Sequence, residues 1–491
     1  MPGPLHWPLL LWPLAVVGGA VGLPLLTATP AEPRDPSGQV AGKPYGGETS
    51  SFRQLSSGSC ASDSCHGGGV GAKGGEHSTW AAEAFPGRPS DPHARAHRVL
   101  FNEVSRRIGT ALNLVPHRDA RCLNCHAVPG SAPETHADGV GCGGCHGAAE
   151  KWNAAHVAPG WSALSARDKF ERYGFAPTRG QVGRSGGCVG CHVGDATREV
   201  NHDLIAAGHP RLSFEATRFH FDTGYAKHWV EKTPQPDFEA RAWLVGQAVT
   251  ARAATELLRV RASRARVAGS TTPWPEFAGQ SCYACHQSLG TTTSTSSAPK
   301  PAALAGWEVG VGTSVGVSAE FSAAAFPGTA APKLAAFTAL QREMAKRSPA
   351  AARVAGLAAD AVAEFDAWLA QLQVAEDAGL PRLPADVPRR VASALAAAAV
   401  TPDRAALSDA DWDALAARYL GVAAMYHAGG GRVTAPAWSA PVRGLAGRLA
   451  FPADAKGVRF NSPVSLSEVR GDILSHFRTL HDATAGPEGT R

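Results

Sequence analysis

Apolar residues in the last third of the chain recur at steps of three and four, and Pro and Gly break the runs. The segments Leu334 to Met344, Ala351 to Leu372, Ala392 to Val400 and Trp412 to His427 follow this pattern. That period predicts amphipathic helices. Two more helices are expected upstream. Asp91 suits an N-cap and Pro92 a first helical position. From there His93, His97, Leu100, Val104, Ile108 and Leu112 fall on one face. A second helix spans about Asp237 to Val267, with Phe238, Val245, Val249 and Leu257 in its stripe. Its basic end (Arg259, Arg261, Arg264, Arg266) matches the negative end of the helix dipole. The expected class is mainly α, with sparse secondary structure in the first half and a helical C-terminal region.

Composition divides the chain further. Residues 1–31 read as a signal peptide or N-terminal anchor. The apolar stretch 8–27 has small residues near Ala28 and Ala31 for cleavage, though its start has His6 and no Lys or Arg. Residues 32–57 are a Pro/Gly/Ser-rich linker, and 58–288 hold every cysteine. Residues 289–333 read as an irregular, low-complexity connection, and 334–491 as the helical region. No later segment has the ~20 apolar residues of a membrane span. The net charge of +5 comes with no dense Lys/Arg block, which excludes nucleic acid as a partner.

The ten cysteines change the picture most. Four segments read Cys-x-x-Cys-His: Cys122–Cys125–His126, Cys142–Cys145–His146, Cys188–Cys191–His192 and Cys282–Cys285–His286. A fifth, Cys60–Cys65–His66, has four intervening residues. This is the attachment pattern of c-type haem. Two thiols must reach two vinyl groups on one porphyrin edge, and the adjacent imidazole must reach the iron. Structural zinc draws four ligands from paired knuckles and requires no histidine after each second cysteine. Redox Cys-x-x-Cys sites and disulfides leave the five histidines unexplained. The expectation is five covalent haem c groups in an exported, periplasmic-type compartment, with His66, His126, His146, His192 and His286 as proximal iron ligands.

Each closed iron needs a sixth ligand. The interior methionines, Met344 and Met425, lie beyond the cysteine region, which argues against Met ligation. Ten further histidines lie between His77 and His228, so bis-histidine ligation is the default. An isolated histidine is more often a surface residue than a ligand. Among haem motifs the balance shifts. The five distal candidates are His93, His117, His156, His202 and His209, with His228 in reserve. His156 is too close in chain to His146 to face it across one iron, so it serves a neighbouring site. Asn201 caps a short helix that Gly208 ends.

Several stretches resemble the cytochrome c-554/c-prime group of multihaem cytochromes. They are Cys65-His-Gly-Gly, Asp91-Pro-His-Ala-Arg-Ala96, Gly141-Cys-Gly-Gly-Cys-His-Gly147 with Trp152 and His156, Asn201 through His209-Pro210, and Trp274-Pro-Glu-Phe277. The resemblance covers about residues 58–288. It implies a mostly helical fold with closely stacked haems, and distal roles for His93 and His156. The founding members carry four haems, not five.

Three functions compete. The first is electron transfer through about five bis-histidine haems, with redox partner proteins or quinol-linked donors. The second is a haem enzyme with one open iron acting on small nitrogen compounds, similar to pentahaem nitrite reductase or hydroxylamine oxidoreductase. Against it, nitrite reductases commonly carry a Cys-x-x-Cys-Lys motif, whereas all five motifs here end in histidine. Tyrosine, the cross-linked residue of hydroxylamine oxidoreductase, occurs only six times. The third is a docking or lid role for 334–486, whose aromatic stripes are otherwise an ordinary helical core. The N-terminus offers a further membrane association.

Overall fold

Helices and turns carry the four described cysteine motifs, and long helices supply the apolar core. The computed structural model describes residues 52–83, 91–212, 214–221, 228, 237–280, 314–400, 412–428, 436–449 and 466–485. Among these residues there are helices and no strand. No described helix is long and apolar enough to cross a membrane.

The longer helices are α1 (Gln181–His192), α2 (Phe238–Ala265), α3 (Val315–Ala325), α4 (Ala335–Met344), α5 (Ala351–Ala378), α6 (Val387–Val400), α7 (Trp412–Ala428), α8 (Pro436–Leu449) and α9 (Leu466–Ala485). Helix α2 is the hub, packing against α1, α3, α5 and α7. It was expected to be amphipathic, yet it is buried on nearly every side, from Ala240 through Trp243, Leu244, Ala248, Ala251 and Leu258 to Ala262. Its alanines let neighbours approach from several directions, so a single apolar stripe is not needed. Side chains such as Trp243, Phe365, Trp368 and Leu395 are sealed in the common core. Burying each contributes ~1.5–3 kcal/mol. Polar contacts fix the register: Ser318 Oγ donates to the Leu244 carbonyl (2.8 Å), Trp368 Nε1 to Ser322 Oγ (2.8 Å), and Arg252 pairs with Asp366 (2.9 Å).

Three expectations need correction. The helix starting at Asp91 is not continuous. Asp91 does cap, accepting from the His93 N–H (3.0 Å), but the chain forms two 3₁₀ turns, Pro92–Arg95 and Arg98–Phe101. Asn102 is extended and caps a separate helix, Glu103–Ala111, by accepting from Ser105 N–H (2.8 Å). A side-chain cap competing for the backbone outweighs the apolar spacing there. The connection expected over 289–333 contains α3, with Val315, Ala319, Phe321 and Ala325 buried. Its small residues hid a core helix. Helix α5 runs past Leu372 to Ala378, where Gly379 at φ 85° ends it.

The cysteine region leans on this core at several places. Helix α1 packs along α2. The basic end of α2 grips the loop that follows α1: Arg261 pairs with Glu199 (2.7 Å), and Arg264 reaches Glu199 (3.4 Å) and the Ala196 carbonyl.

Candidate functional site

Three of the motifs share one construction. Helices Ala120–His126, Cys142–His146 and α1 each end on the motif histidine, so the second cysteine and the imidazole sit on the last turn. Asp119 caps the first of these, accepting from Arg121 N–H (2.9 Å). After His146 the chain turns sharply at Gly147 (φ 83°), where a Cβ would lie 2.1 Å from the Gly174 carbonyl oxygen. Only glycine fits there. The motif with the longer spacer differs. Cys60 closes a 3₁₀ turn, Ser57–Cys60, and the spacer folds into a turn in which Cys65 N–H and Gly67 N–H both donate to the Ser62 carbonyl (2.8 and 2.9 Å).

Each described motif histidine faces one other imidazole. Ring centroids are 6.3 Å apart for His66–His156, 6.1 Å for His93–His192, and 6.4 Å for both His126–His209 and His146–His228. An imidazole nitrogen binds a transition metal at about 2 Å, and the centroid lies ~1.1 Å further back, so two rings on opposite sides of one ion stand about 6.2 Å apart. All four pairs have that spacing. Phe214 and Phe219 flank His192, and Phe175 lies against His146, so two of the sites have aromatic walls.

Five of these eight rings have Nδ1 held by an acceptor. The acceptors are Glu76 for His66 (2.9 Å), Asp91 for His93 (2.9 Å), the Ala96 carbonyl for His126 (2.7 Å), the Asn153 carbonyl for His156 (2.6 Å) and the Pro210 carbonyl for His209 (2.7 Å). Donation from Nδ1–H fixes the tautomer and leaves the Nε2 lone pair for a metal, a pattern typical of metal-ligating histidine. Burial reinforces it. It pushes His146 and His192 down to about 4, and lowers His126, His209 and His228. In these five, neutral imidazole, the ligating form, therefore prevails at neutral pH. His93 is the exception. Burial pulls it down, but the hydrogen bond and charge of Asp91 leave it above its ordinary value.

No disulfide joins the described cysteines. They meet in series: Cys60 lies beside Cys142, Cys145 lies within electrostatic reach of Cys188, and Cys191 lies beside Cys125. The four motifs thus adjoin in the order 60–66, 142–146, 188–192, 122–126. The neighbouring thiol pulls Cys142 and Cys191 down and pushes Cys60 and Cys125 up. Burial pushes Cys145 up to about 12 and Cys188 to about 11. Among the described residues no three His, Cys, Asp or Glu side chains converge as a metal cage. What recurs is the facing pair beside two thiols, an arrangement that fits a planar iron cofactor tethered at its edge.

Of the distal candidates, His93, His156, His209 and His228 each face a motif histidine. His156 faces His66, not His146. His117 instead stacks on Phe101 (4.5 Å, 20°). His202 has its N–H held by Glu276 (2.9 Å) and its ring edge-on to Phe277 (6.3 Å). Cys282, Cys285 and His286 lie outside the described residues. His97 and His136 also face each other (5.9 Å), without a motif histidine. Sequence reasoning missed Glu76, whose role depends on a turn that brings it back to His66. It also missed the pairing itself, which joins residues up to 99 positions apart.

Residues 77–147 match the family described as cytochrome c554 and c-prime. That stretch contains His93 and the motifs ending in His126 and His146. No curated protein and no solved structure matches the chain significantly.

Proposed function

We propose that this c-type cytochrome, of the cytochrome c554 and c-prime family over residues 77–147, is an exported electron-transfer protein with five bis-histidine haem c groups. The observation that carries the reading is the set of four facing histidine pairs at 6.1–6.4 Å, each beside a pair of cysteines. Bound haem supplies a one-electron iron couple.

The chain's own residues do the rest. The motif thiols would tether the cofactor. His66 with His156, His192 with His93, His126 with His209, and His146 with His228 would hold the irons and leave no position for small ligands. Glu76 and Asp91 orient their imidazoles and raise ligand basicity, which favours the oxidised state and a low potential. The serial meeting of the cysteines supports a continuous route in the order 60–66, 142–146, 188–192, 122–126. For the fifth site, whose motif lies outside the described residues, His202 is kept as the candidate distal ligand. His202 rests against Phe277, shortly before Cys282 in the chain. His117 is then a packing partner of Phe101.

Two-sided histidine ligation favours a carrier over a catalyst. Covalent haem attachment takes place outside the cytoplasm, which supports export, with redox proteins or quinol-linked donors as partners. Mass spectrometry of proteolytic peptides tests the haem count: five peptides, one for each motif, should carry the haem mass. Visible spectra should not change on adding nitrite or hydroxylamine. A high-spin iron that binds either ligand would overturn the carrier reading in favour of an enzyme on small nitrogen compounds.

A further inference from the structure

Helix α5 belongs to the haem-free half of the chain, yet near its end it touches the helix that carries Cys188–His192. Glu376 turns its carboxylate inward and caps the N-terminus of α1. Oε1 accepts from Gln181 N–H (2.9 Å) and Oε2 from Val182 N–H (3.3 Å). Gln181 and Val182 are both buried. The fit is close: a Cβ on Gly180 would stand 3.0 Å from Oε2. No described Arg or Lys forms an ion pair with this carboxylate. The charged groups around it are Asp377 beside it, Arg184 on α1, and Arg241 on α2. Arg241 is already paired with Asp237 (2.9 Å). Its guanidinium also donates to the carbonyls of Pro381 and Ala325.

An ordinary helix cap would be Ser, Thr, Asp or Asn from the preceding residue. Here that residue is Gly180, and a long carboxylate arrives from another helix instead. Glu376 is half-buried, and a partly desolvated acid with no ion-pair partner is costly as an anion, which makes its proton sensitive to nearby charge. Burial pushes Glu376 up to about 7, against the pull of its two N–H donors. Helix α1 links the acid at one end to His192 at the other, about 16 Å away along the axis. The intervening helix is buried along Gln181, Val182, Ser185 and Val189, so water screens the interaction little.

We propose that Glu376 couples electron transfer to proton uptake. When one electron from a one-electron donor reduces the iron between His192 and His93, the Glu376 carboxylate takes one proton from water and forms an O–H bond. Oxidation reverses both steps. The sign follows from electrostatics. The added electron makes the site more negative, which stabilises the protonated, neutral acid. The C-terminal half thereby gains a role beyond packing: it brings a proton-binding group to the haem helix. This inference rests on the electron-transfer reading above.

The test is a mediated redox titration of the full-length haem-loaded protein between pH 5.5 and 8.5, for wild type, Glu376→Gln and Glu376→Asp. In the wild type, the midpoint of one low-spin component falls as pH rises through about 7. The dependence disappears in Glu376→Gln and returns, displaced in pH, in Glu376→Asp. Reduced-minus-oxidised infrared spectra add a second readout: a protonated carboxyl band that grows on reduction, vanishes in the Gln variant and shifts in the Asp variant. A folded Gln variant with unaltered pH dependence overturns the proposal. If that variant fails to fold, an Asp variant whose band and pH dependence match the wild type overturns it equally. Failure of the underlying reading looks different: the peptide with Cys188 and Cys191 carries no haem mass.

Discussion

The imidazoles of His66 and His156 face each other with centroids 6.3 Å apart and planes inclined by 19°. The residues are 90 positions apart, and each has Nδ1 turned to an acceptor. This leaves both Nε2 atoms for the one iron proposed to lie between them. Replacing His156 with Ala should therefore convert one low-spin iron to high spin and leave the haem mass unchanged. Low-temperature EPR checks it. Unchanged spectra would remove His156 from the ligand set.

Glu76 holds His66 at 2.9 Å and is itself lowered below its ordinary value; burial opposes this, but the His66 hydrogen bond and backbone N–H groups outweigh it. Outer-shell partners of this kind change metal affinity 10- to 100-fold. Glu76→Gln weakens the anionic character lent to His66 and favours the reduced iron. The potential of that one haem should rise, by about 60 mV for each tenfold change in the ratio of ligand affinities. Spectroelectrochemistry measures it, and a fall in potential would contradict the assigned role.

Gly147 cannot accept a side chain. Its φ of 83° is left-handed, and a Cβ would stand 2.1 Å from the Gly174 carbonyl oxygen. Gly147→Ala should cost about 2 kcal/mol or more. The loss should appear as a lower thermal midpoint, with disturbance centred on the His146–His228 haem. An unchanged melting curve would show that the backbone yields there.

Glu376 also predicts how stability varies with pH. Burial raises its folded pKa from 4.5 to about 7. The folded protein then holds a proton that the unfolded chain releases, so stability falls as pH rises through this window and levels off above it. The drop is of the order of 2 kcal/mol, allowing for partial screening by solvent. Glu376→Gln should abolish this part of the slope between pH 5 and 7.5. Chemical denaturation at fixed pH values compares the two, and parallel slopes would argue against a desolvated, titrating Glu376.

Much of this was legible in the chain, for identifiable reasons. Cys-x-x-Cys-His is a local motif, so the attachment residues stand out without a fold. Asp91-Pro92 and Asn201 are local caps, and the structure has both. The helices beginning at Ala351 and Trp412 follow from apolar period alone. What stayed hidden depends on distance in the chain. No local signal ties His126 to His209 or Glu376 to Gln181. The helix expected from His93 to Leu112 failed because Asn102 caps the backbone inside the run. Helix α3 was overlooked because Ala, Gly and Ser resemble linker composition when their burial is unknown.

The central claim is that paired histidines close the irons. Low-temperature EPR with near-infrared magnetic circular dichroism of the oxidised, full-length protein tests it most directly, because the near-infrared band identifies bis-histidine ligation. Every haem, including those of the four described pairs, should be low-spin with two histidine ligands, and the spectra should not change when nitrite is added. A majority of high-spin irons, or low-spin irons with a sulfur ligand, would contradict it.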